Sequence, residues 1–239
     1  MTTTATTASV LGALAEVYDP ELDEPITRLG FVTSCEVSDD GDVEVVLRLP
    51  TPQCAPNFAF LMAADARNAL RRLPEVREIS VKLEDHYTGA EINAALARGE
   101  DFTGAFPGET GGDDDLVALR ELFLRKALVA RESRLCDSLL NAGATAEQVA
   151  ARRVRDLPQD TRDAQRCLEL RRQLGLESDA DSPAFVLPSG EAVPPAELKR
   201  WLRTARLVRM SLEVNGGICR SLLQIRHGVA IEDPEEVLR

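Results

Sequence analysis

The 239-residue sequence has few aromatic residues and no paired cysteines. Aromatic side chains make up 4% of the chain, so its hydrophobic cores must be built from Leu, Val, Ala and Ile. Its five cysteines are an odd number and include no CxxC pair, which excludes a disulfide framework and a zinc ribbon. We therefore expect reduced thiols, and each one is either a small buried hydrophobe or a reactive group.

Basic residues are outnumbered by acidic ones, 28 to 40, and the formal net charge is −12. Nucleic acids and anionic membranes are bound by clusters of Lys and Arg, so this balance excludes both as partners. No apolar run approaches the roughly 20 residues that span a bilayer. The first residues also lack the basic and apolar segments of a secretion signal. Together these absences predict a cytoplasmic protein whose partners are proteins or cations.

The first third of the chain alternates between helical and strand periodicity. Five elements are expected in the order α-β-β-α-β: a helix over residues 9–18, strands over 31–37 and 43–49, a helix over 57–73 and a strand over 76–83. This order predicts an α+β fold, in which the elements form a small sandwich domain. We place that domain at residues 1–98.

The remainder of the chain has a different character. Gly, Pro and Asp are concentrated over residues 99–115, which predicts a linker. Residues 116–239 carry helical patterns and helix caps, so the sequence predicts an all-helical C-terminal domain. Within it, Asn215-Gly216-Gly217 is expected to end one helix before a last short one.

Cys54 stands out among the thiols. It lies in the segment Thr51-Pro52-Gln53-Cys54-Ala55-Pro56, between the end of a predicted strand and the start of a predicted helix. The unpaired amides and positive dipole at a helix N-terminus favour thiolate over thiol, which makes a better metal ligand and nucleophile. The alternative is that Cys54 is one more small core residue.

Four short segments, in order and at fitting spacing, resemble the SufT and PaaD-like iron–sulfur assembly family, also called the MIP-eighteen family. They are Asp19-Pro20-Glu21-Leu22, Leu29-Gly30-Phe31-Val32, Thr51-Pro52-Gln53-Cys54 and Tyr87-Thr88. The family has the same α-β-β-α-β order. The resemblance covers residues 8–92 and leaves the C-terminal region unexplained.

The resemblance implies that Cys54, in its loop with Thr51, handles iron or an iron–sulfur cluster that is held transiently. It also implies that Asp19 and Glu21 lie near this thiol, although both residues can equally serve only to form a local turn beside Pro20. A cluster needs about four protein ligands, and the first domain offers one accessible thiol. A homodimer, a partner's thiols, or additional carboxylate and His ligands must therefore complete the site.

Other residues give weaker signals. His86 follows the third strand, and a Cys54–His86 pair oriented by Asp85 would be the skeleton of a thiol-dependent enzyme. Cys219 follows the predicted Gly-rich turn, with His227 eight residues later, so these two residues and His86 are candidate additional metal ligands. Cys35, Cys136 and Cys167 lie in apolar patterns and are expected to pack in the cores.

The sequence therefore predicts an assembly factor and not an enzyme. It would deliver iron or a cluster to a client apo-metalloprotein, such as a di-iron monooxygenase, with the helical region recognising the client and other assembly proteins as further partners. Two alternatives stay open. One is a metal-free adaptor or chaperone that binds the client, and the other is the Cys–His thiol enzyme.

Overall fold

The computed structural model describes residues 4–108 and 113–228, with side chains from 4–108 and 115–228. Residues 109–112 of the predicted linker and residues 229–239 of the predicted helical domain lie outside this range. The described residues form two compact units. The first comprises the described parts of Met1–Val117 and Asn215–Arg239, and the second is Ala118–Val214.

The first unit contains a three-stranded mixed sheet. Strand β3 (Val32–Val37) pairs antiparallel with β4 (Val43–Arg48), and β4 pairs parallel with β5 (Ile79–Glu84). Gly41, at φ +85°, forms the turn between β3 and β4, where a Cβ would lie 2.7 Å from the carbonyl oxygen of Glu75. A parallel connection needs a crossover, and helix α2 (Pro56–Arg71) provides it.

The three predicted strands and the crossover helix are therefore confirmed. The first helix, α1, runs over Thr7–Leu14 and not to residue 18, because the next residues form a two-stranded ribbon of β1 (Tyr18–Asp19) and β2 (Glu24–Pro25). The α+β fold class is confirmed.

Two further helices of the first unit were not predicted. Helix α3 (Gly89–Arg98) follows β5, and a single helical turn, α4 (Phe102–Ala105), follows α3. Ala105 is buried in the core of this unit, and Phe102 and Phe106 pack against it. A stretch of the predicted linker thus contributes to the first hydrophobic core.

The second unit is built mainly of helices. They are α5 (Asp113–Asn141), α6 (Ala146–Ala150), α7 (Arg162–Gln173) and α8 (Leu198–His227), of which α5 and α8 extend into the first unit. In its core, the buried Arg171 guanidinium donates to the buried Glu132 carboxylate at 2.7 Å. The helical character predicted for this region is confirmed, whereas the exact domain boundaries remain a prediction.

Helix α8 differs from the sequence prediction. It continues through Asn215-Gly216-Gly217, where a helix end was expected, so that prediction is wrong. Neither glycine has a positive φ. Within the described ranges, no helix is both long enough and apolar enough to cross a membrane.

Candidate functional site

The Cys54 loop connects β4 to α2. The Cys54 backbone N–H donates to the Thr51 carbonyl oxygen at 3.3 Å, and the Thr51 hydroxyl lies 3.6 Å from the Cys54 sulfur. Pro56 occupies the first turn of α2, where its missing N–H is no loss and its fixed φ favours helix entry. Cys54 therefore sits in a turn immediately before a helix and is half-buried, and it packs against the core of the first unit.

His86 and Tyr87 follow β5, which runs parallel to β4, so they contact this loop at the same end of the sheet. The His86 ring lies with Nε2 at 2.8 Å from the Cys54 carbonyl oxygen, which can only accept, so Nε2 carries the proton. The Thr88 backbone N–H donates to His86 Nδ1 at 3.3 Å, and the Tyr87 N–H donates to the Pro52 carbonyl at 3.1 Å. Both ring nitrogens are thus engaged with other groups than the thiol.

This arrangement gives no support to a Cys–His thiol enzyme. A general base must present an unprotonated nitrogen to the thiol, and the His86 ring is instead bonded to the backbone of Cys54 and to Thr88. The carboxylate of Asp85 contacts Arg226 and lies 4.0 Å from His227 Nε2. His86 acts here as a support for the loop.

Asp19 forms a local turn, which was the alternative to a place near the thiol in the sequence analysis. Its Oδ1 accepts backbone N–H donors from Glu21 at 2.8 Å and Leu22 at 3.0 Å, which links β1 to β2. Burial raises the pKa of the Asp19 carboxyl to about 7, while the two N–H donors lower it and the charges of Glu21 and Glu24 raise it further. Its carboxylate is buried rather than presented to solvent.

Glu21 and Glu24 contact the C-terminal turns of α8 within the same unit. Asn215 Nδ2 donates to Glu21 Oε1 at 3.3 Å. Arg220 Nη1 donates to both carboxylate oxygens of Glu24, at 2.8 and 3.0 Å. This segment of α8 therefore lies against the turn that Asp19 forms.

Cys219 lies between these contact residues and is half-buried. The pKa of its thiol is raised to about 12, first by burial and then by the negative charges of Asp19, Cys54 and Glu21. Arg220 is the cation that opposes this effect. The structure thus brings Cys219 into electrostatic range of Cys54, although 165 residues of sequence separate the two.

The end of α8 contacts the other side of the Cys54 loop. Arg226 Nη1 donates to the Pro50 carbonyl at 3.0 Å, and Nη2 lies 3.3 Å from Asp85 Oδ2. His227 lies beside Asp85, with its Nε2 4.0 Å from Asp85 Oδ2. Leu223, between these residues and Cys219, is 1% exposed and belongs to the core of the first unit.

The candidate residues fall into groups. Thr51 contacts Cys54, and Asp19, Glu21 and Cys54 act electrostatically on Cys219, while His86 supports the loop backbone and His227 lies near Asp85. Across residues 4–108 and 113–228, no three Cys, His, Asp or Glu side chains are grouped as a metal site. Sequence reasoning missed the anchoring residues of α8, and the helical spacing of Asn215, Cys219, Leu223 and Arg226 was the signal available.

The remaining cysteines pack as expected. Cys136 and Cys167 are buried in the second unit, and burial raises the pKa of both thiols, that of Cys136 to about 12. Cys35 packs against the core of the first unit, where burial likewise raises its pKa. All five cysteines are free thiols.

Comparison with known proteins identifies relatives of the N-terminal part. Residues 7–81 match the family described as iron–sulfur cluster assembly protein. An uncharacterised protein of Methanocaldococcus jannaschii is 34% identical over 95 residues, which cover 40% of this chain and 98% of that protein. An Fe–S protein maturation auxiliary factor of Bacillus subtilis is 32% identical over 75 residues, covering 31% of this chain and 72% of that protein.

A third relative is longer. The iron–sulfur cluster carrier protein of Deinococcus radiodurans is 35% identical over 88 residues, which cover 36% of this chain and 23% of the carrier protein. The similarity is therefore limited to one part of this chain and one part of the carrier protein. The family match ends at residue 81, before most of the helical region begins.

Proposed function

Because the chain belongs to the iron–sulfur cluster assembly protein family, we propose that it receives iron or an iron–sulfur unit at Cys54 and passes it to a client metalloprotein. The coarser role, in assembly, maturation or carriage of iron–sulfur clusters, follows from the family and its named members. The observation that carries the finer proposal is the half-buried Cys54 sulfur in the turn before α2.

The Cys54 loop suits a ligand that is held and then released. Its backbone is fixed by His86 and Tyr87, so the sulfur is positioned before cargo arrives. The Thr51 hydroxyl at 3.6 Å can donate to the thiolate that forms when the proton leaves. Transfer to a client then proceeds by exchange of ligands on the metal, and no catalytic turnover is required.

The carboxylates have supporting roles in this proposal. Asp19 shapes the turn near the site, and Glu21 holds the end of α8 through Asn215. Both carboxylates act electrostatically on Cys219, and in their ionised form they favour the arrival of a cation. Direct ligation by either carboxylate is not needed for the site to act.

The helical unit is proposed to recognise the client. It carries an apolar pocket of about 400 Å³, whose walls include Leu122, Val129, Leu187 and Trp201. A pocket of this size accepts an apolar side chain of a partner protein. A di-iron monooxygenase in its apo form is one client that fits, since it must take up iron.

The test is anaerobic purification of the full chain, with iron and sulfide analysis and visible absorption. We expect iron or a cluster in the wild type, and its loss in Cys54→Ser. Cys35→Ser is the matched control, because Cys35 is a half-buried thiol of the same unit on a strand away from the loop. Its iron content should equal that of the wild type.

Two results would count against the proposal. Equal iron in Cys54→Ser and wild type would remove Cys54 from the site. A Cys54→Ser variant that replaces the wild type in cells that need the protein would favour the metal-free adaptor, with the pocket of the helical unit as its working surface.

A further inference from the structure

The last turns of α8 present one face to the Cys54 end of the first unit. Asn215, Cys219, Leu223 and Arg226 follow each other at steps of four, four and three residues, which places them on one side of the helix. Asn215 contacts Glu21 at one end of this row, and Arg226 contacts Pro50 at the other. Leu223 enters the core between them.

This row fixes where Cys219 lies. It is one turn after the residue that contacts the Asp19 turn and one turn before the residue that enters the core. Cys54 is four residues beyond Pro50, whose carbonyl oxygen accepts from Arg226. Cys54 and Cys219 also pack against the same hydrophobic cluster. Both thiols thus border the core of the first unit, and the contacts of Asn215, Arg220 and Arg226 hold the α8 segment with Cys219 against the Asp19 turn and the start of the Cys54 loop.

The charges around Cys219 are mainly negative. Asp19, Glu21 and Cys54 act on it from the α+β elements, and on its own helix Arg220 is held by both carboxylate oxygens of Glu24. Removing the proton of the Cys219 thiol in such a place is unfavourable unless a cation takes its position. Thiolate sulfur is a ligand that favours soft and borderline metals, iron and cobalt among them.

We propose, resting on the function proposed for Cys54, that Cys219 is the second thiol of that site and that the two sulfurs together bind ferrous iron, alone or within an iron–sulfur unit. Binding breaks two S–H bonds, releases two protons to solvent and forms two sulfur–metal bonds, with no change in oxidation state. Water or ligands of the client fill the other positions on the metal.

A two-thiol site suits delivery. A cluster takes about four protein ligands, so two thiolates hold it while half of its ligand positions stay open to the client. Cys219 lies far outside residues 7–81, the range that matches the family. The second thiol is thus a feature of this chain's own helical extension, and Cys54 is the part that the family match includes.

The test is anaerobic titration of the full chain with Co²⁺, used in place of Fe²⁺ because thiolate-to-cobalt charge transfer absorbs in proportion to the number of sulfur ligands. Wild type should show the absorption of two thiolates. Cys54→Ser and Cys219→Ser should each lose about half of it, and the double variant all of it. Cys35→Ser should match the wild type.

A second measurement needs no variant of the site. Alkylation of the wild-type thiols, followed by mass spectrometry, should show that Co²⁺ protects Cys54 and Cys219 together and leaves the reactivity of Cys35 unchanged. This result remains interpretable if Cys219→Ser fails to fold.

The outcomes separate this inference from the function on which it rests. Full absorption in Cys219→Ser, or protection of Cys54 alone, would overturn the second thiol while leaving Cys54 as the carrier residue. Loss of iron from purified Cys54→Ser, with the absorption of a single thiolate in the wild type, would do the same. Iron and cobalt binding that is unchanged in Cys54→Ser would overturn both the second thiol and the function proposed for Cys54.

Discussion

At the scale of single residues, burial divides the five thiols into two groups. Cys35, Cys54 and Cys219 are half-buried in the first unit, whereas Cys136 and Cys167 are buried in the core of the second unit. The sequence alone distinguished Cys54, because the end of a strand, a proline and the apolar pattern of the next helix can all be recognised locally. Cys219 was a candidate from the predicted Gly-rich turn before it, but α8 continues through those glycines, and the negatively charged groups that act on Cys219 come from a distant part of the sequence.

Asp19 gives a prediction about pH. Its pKa is about 7 in the folded protein, raised mainly by burial, against 3.8 for an ordinary Asp side chain. Between these two values the folded state holds a proton that the unfolded state has lost, so stability falls as pH rises from about 4 to about 7. Each pKa unit corresponds to about 1.4 kcal/mol.

Asp19→Asn keeps an oxygen that accepts from Glu21 and Leu22 but cannot ionise. We expect the variant to be more stable than the wild type at pH 8 and nearly equal to it at pH 4, as measured by urea unfolding of the apoprotein. If the wild type were instead more stable than Asp19→Asn, by a margin that grows with pH, the ionised carboxylate would be the favoured form. The assigned cause of the pKa shift would then be wrong.

At the scale of secondary structure, α8 shows how packing overrides a local signal. Two consecutive glycines were expected to end the helix, since each costs about 1 kcal/mol relative to Ala in a helix interior. The helix instead continues to His227, because Leu223 is buried and Arg220 and Arg226 find partners beyond the glycines.

The two glycines differ in what a side chain would meet. A Cβ at Gly216 would lie 3.3 Å from Glu24 Oε1 and 3.4 Å from Arg220 Nη1, whereas a Cβ at Gly217 would have no described heavy atom within 4 Å. Gly216 therefore permits a close approach of α8 to Glu24. Gly217 has no such contact and retains only the entropic penalty of glycine.

Replacing each glycine by alanine should reveal this difference. Gly217→Ala is expected to raise the free energy of unfolding by about 0.5–1 kcal/mol through helix propensity alone. Gly216→Ala should gain less, because the Glu24–Arg220 pair must shift to admit the methyl group. Urea unfolding of the two variants is the measurement. Equal gains would show that the Glu24 side chain yields freely and that the close approach is not specific.

At the scale of the whole molecule, the sequence predicted what is local and missed what is distant. Alternating residues identified β4, whose side chains alternate between buried and half-buried, whereas β3 is less regular because its register shifts between Val32 and Ser34. The caps of α6 and α7 were readable from Thr145 and Thr161. No local pattern could indicate that Arg220 pairs with Glu24, 196 residues away. The Cys54 loop was therefore predictable, and the α8 residues around it were not.

The first unit consequently depends on a segment from the far end of the chain. Leu223 is 1% exposed in its core, and Leu170 is fully buried in the core of the second unit. Leu-to-Ala changes at such positions cost about 2–5 kcal/mol, through lost burial and the cavity left behind. The two residues are thus matched probes, one for each core.

Hydrogen exchange followed by mass spectrometry can tell which core each residue serves. Leu223→Ala should accelerate exchange in β4 and α2 and leave α7 close to the wild type, because the lost contacts belong to the first core. Leu170→Ala should accelerate exchange in α7 and spare β4. If each variant instead accelerated both units alike, the chain would unfold as a single cooperative body, and α8 would couple the Cys54 site to the helical unit that is proposed to bind the client.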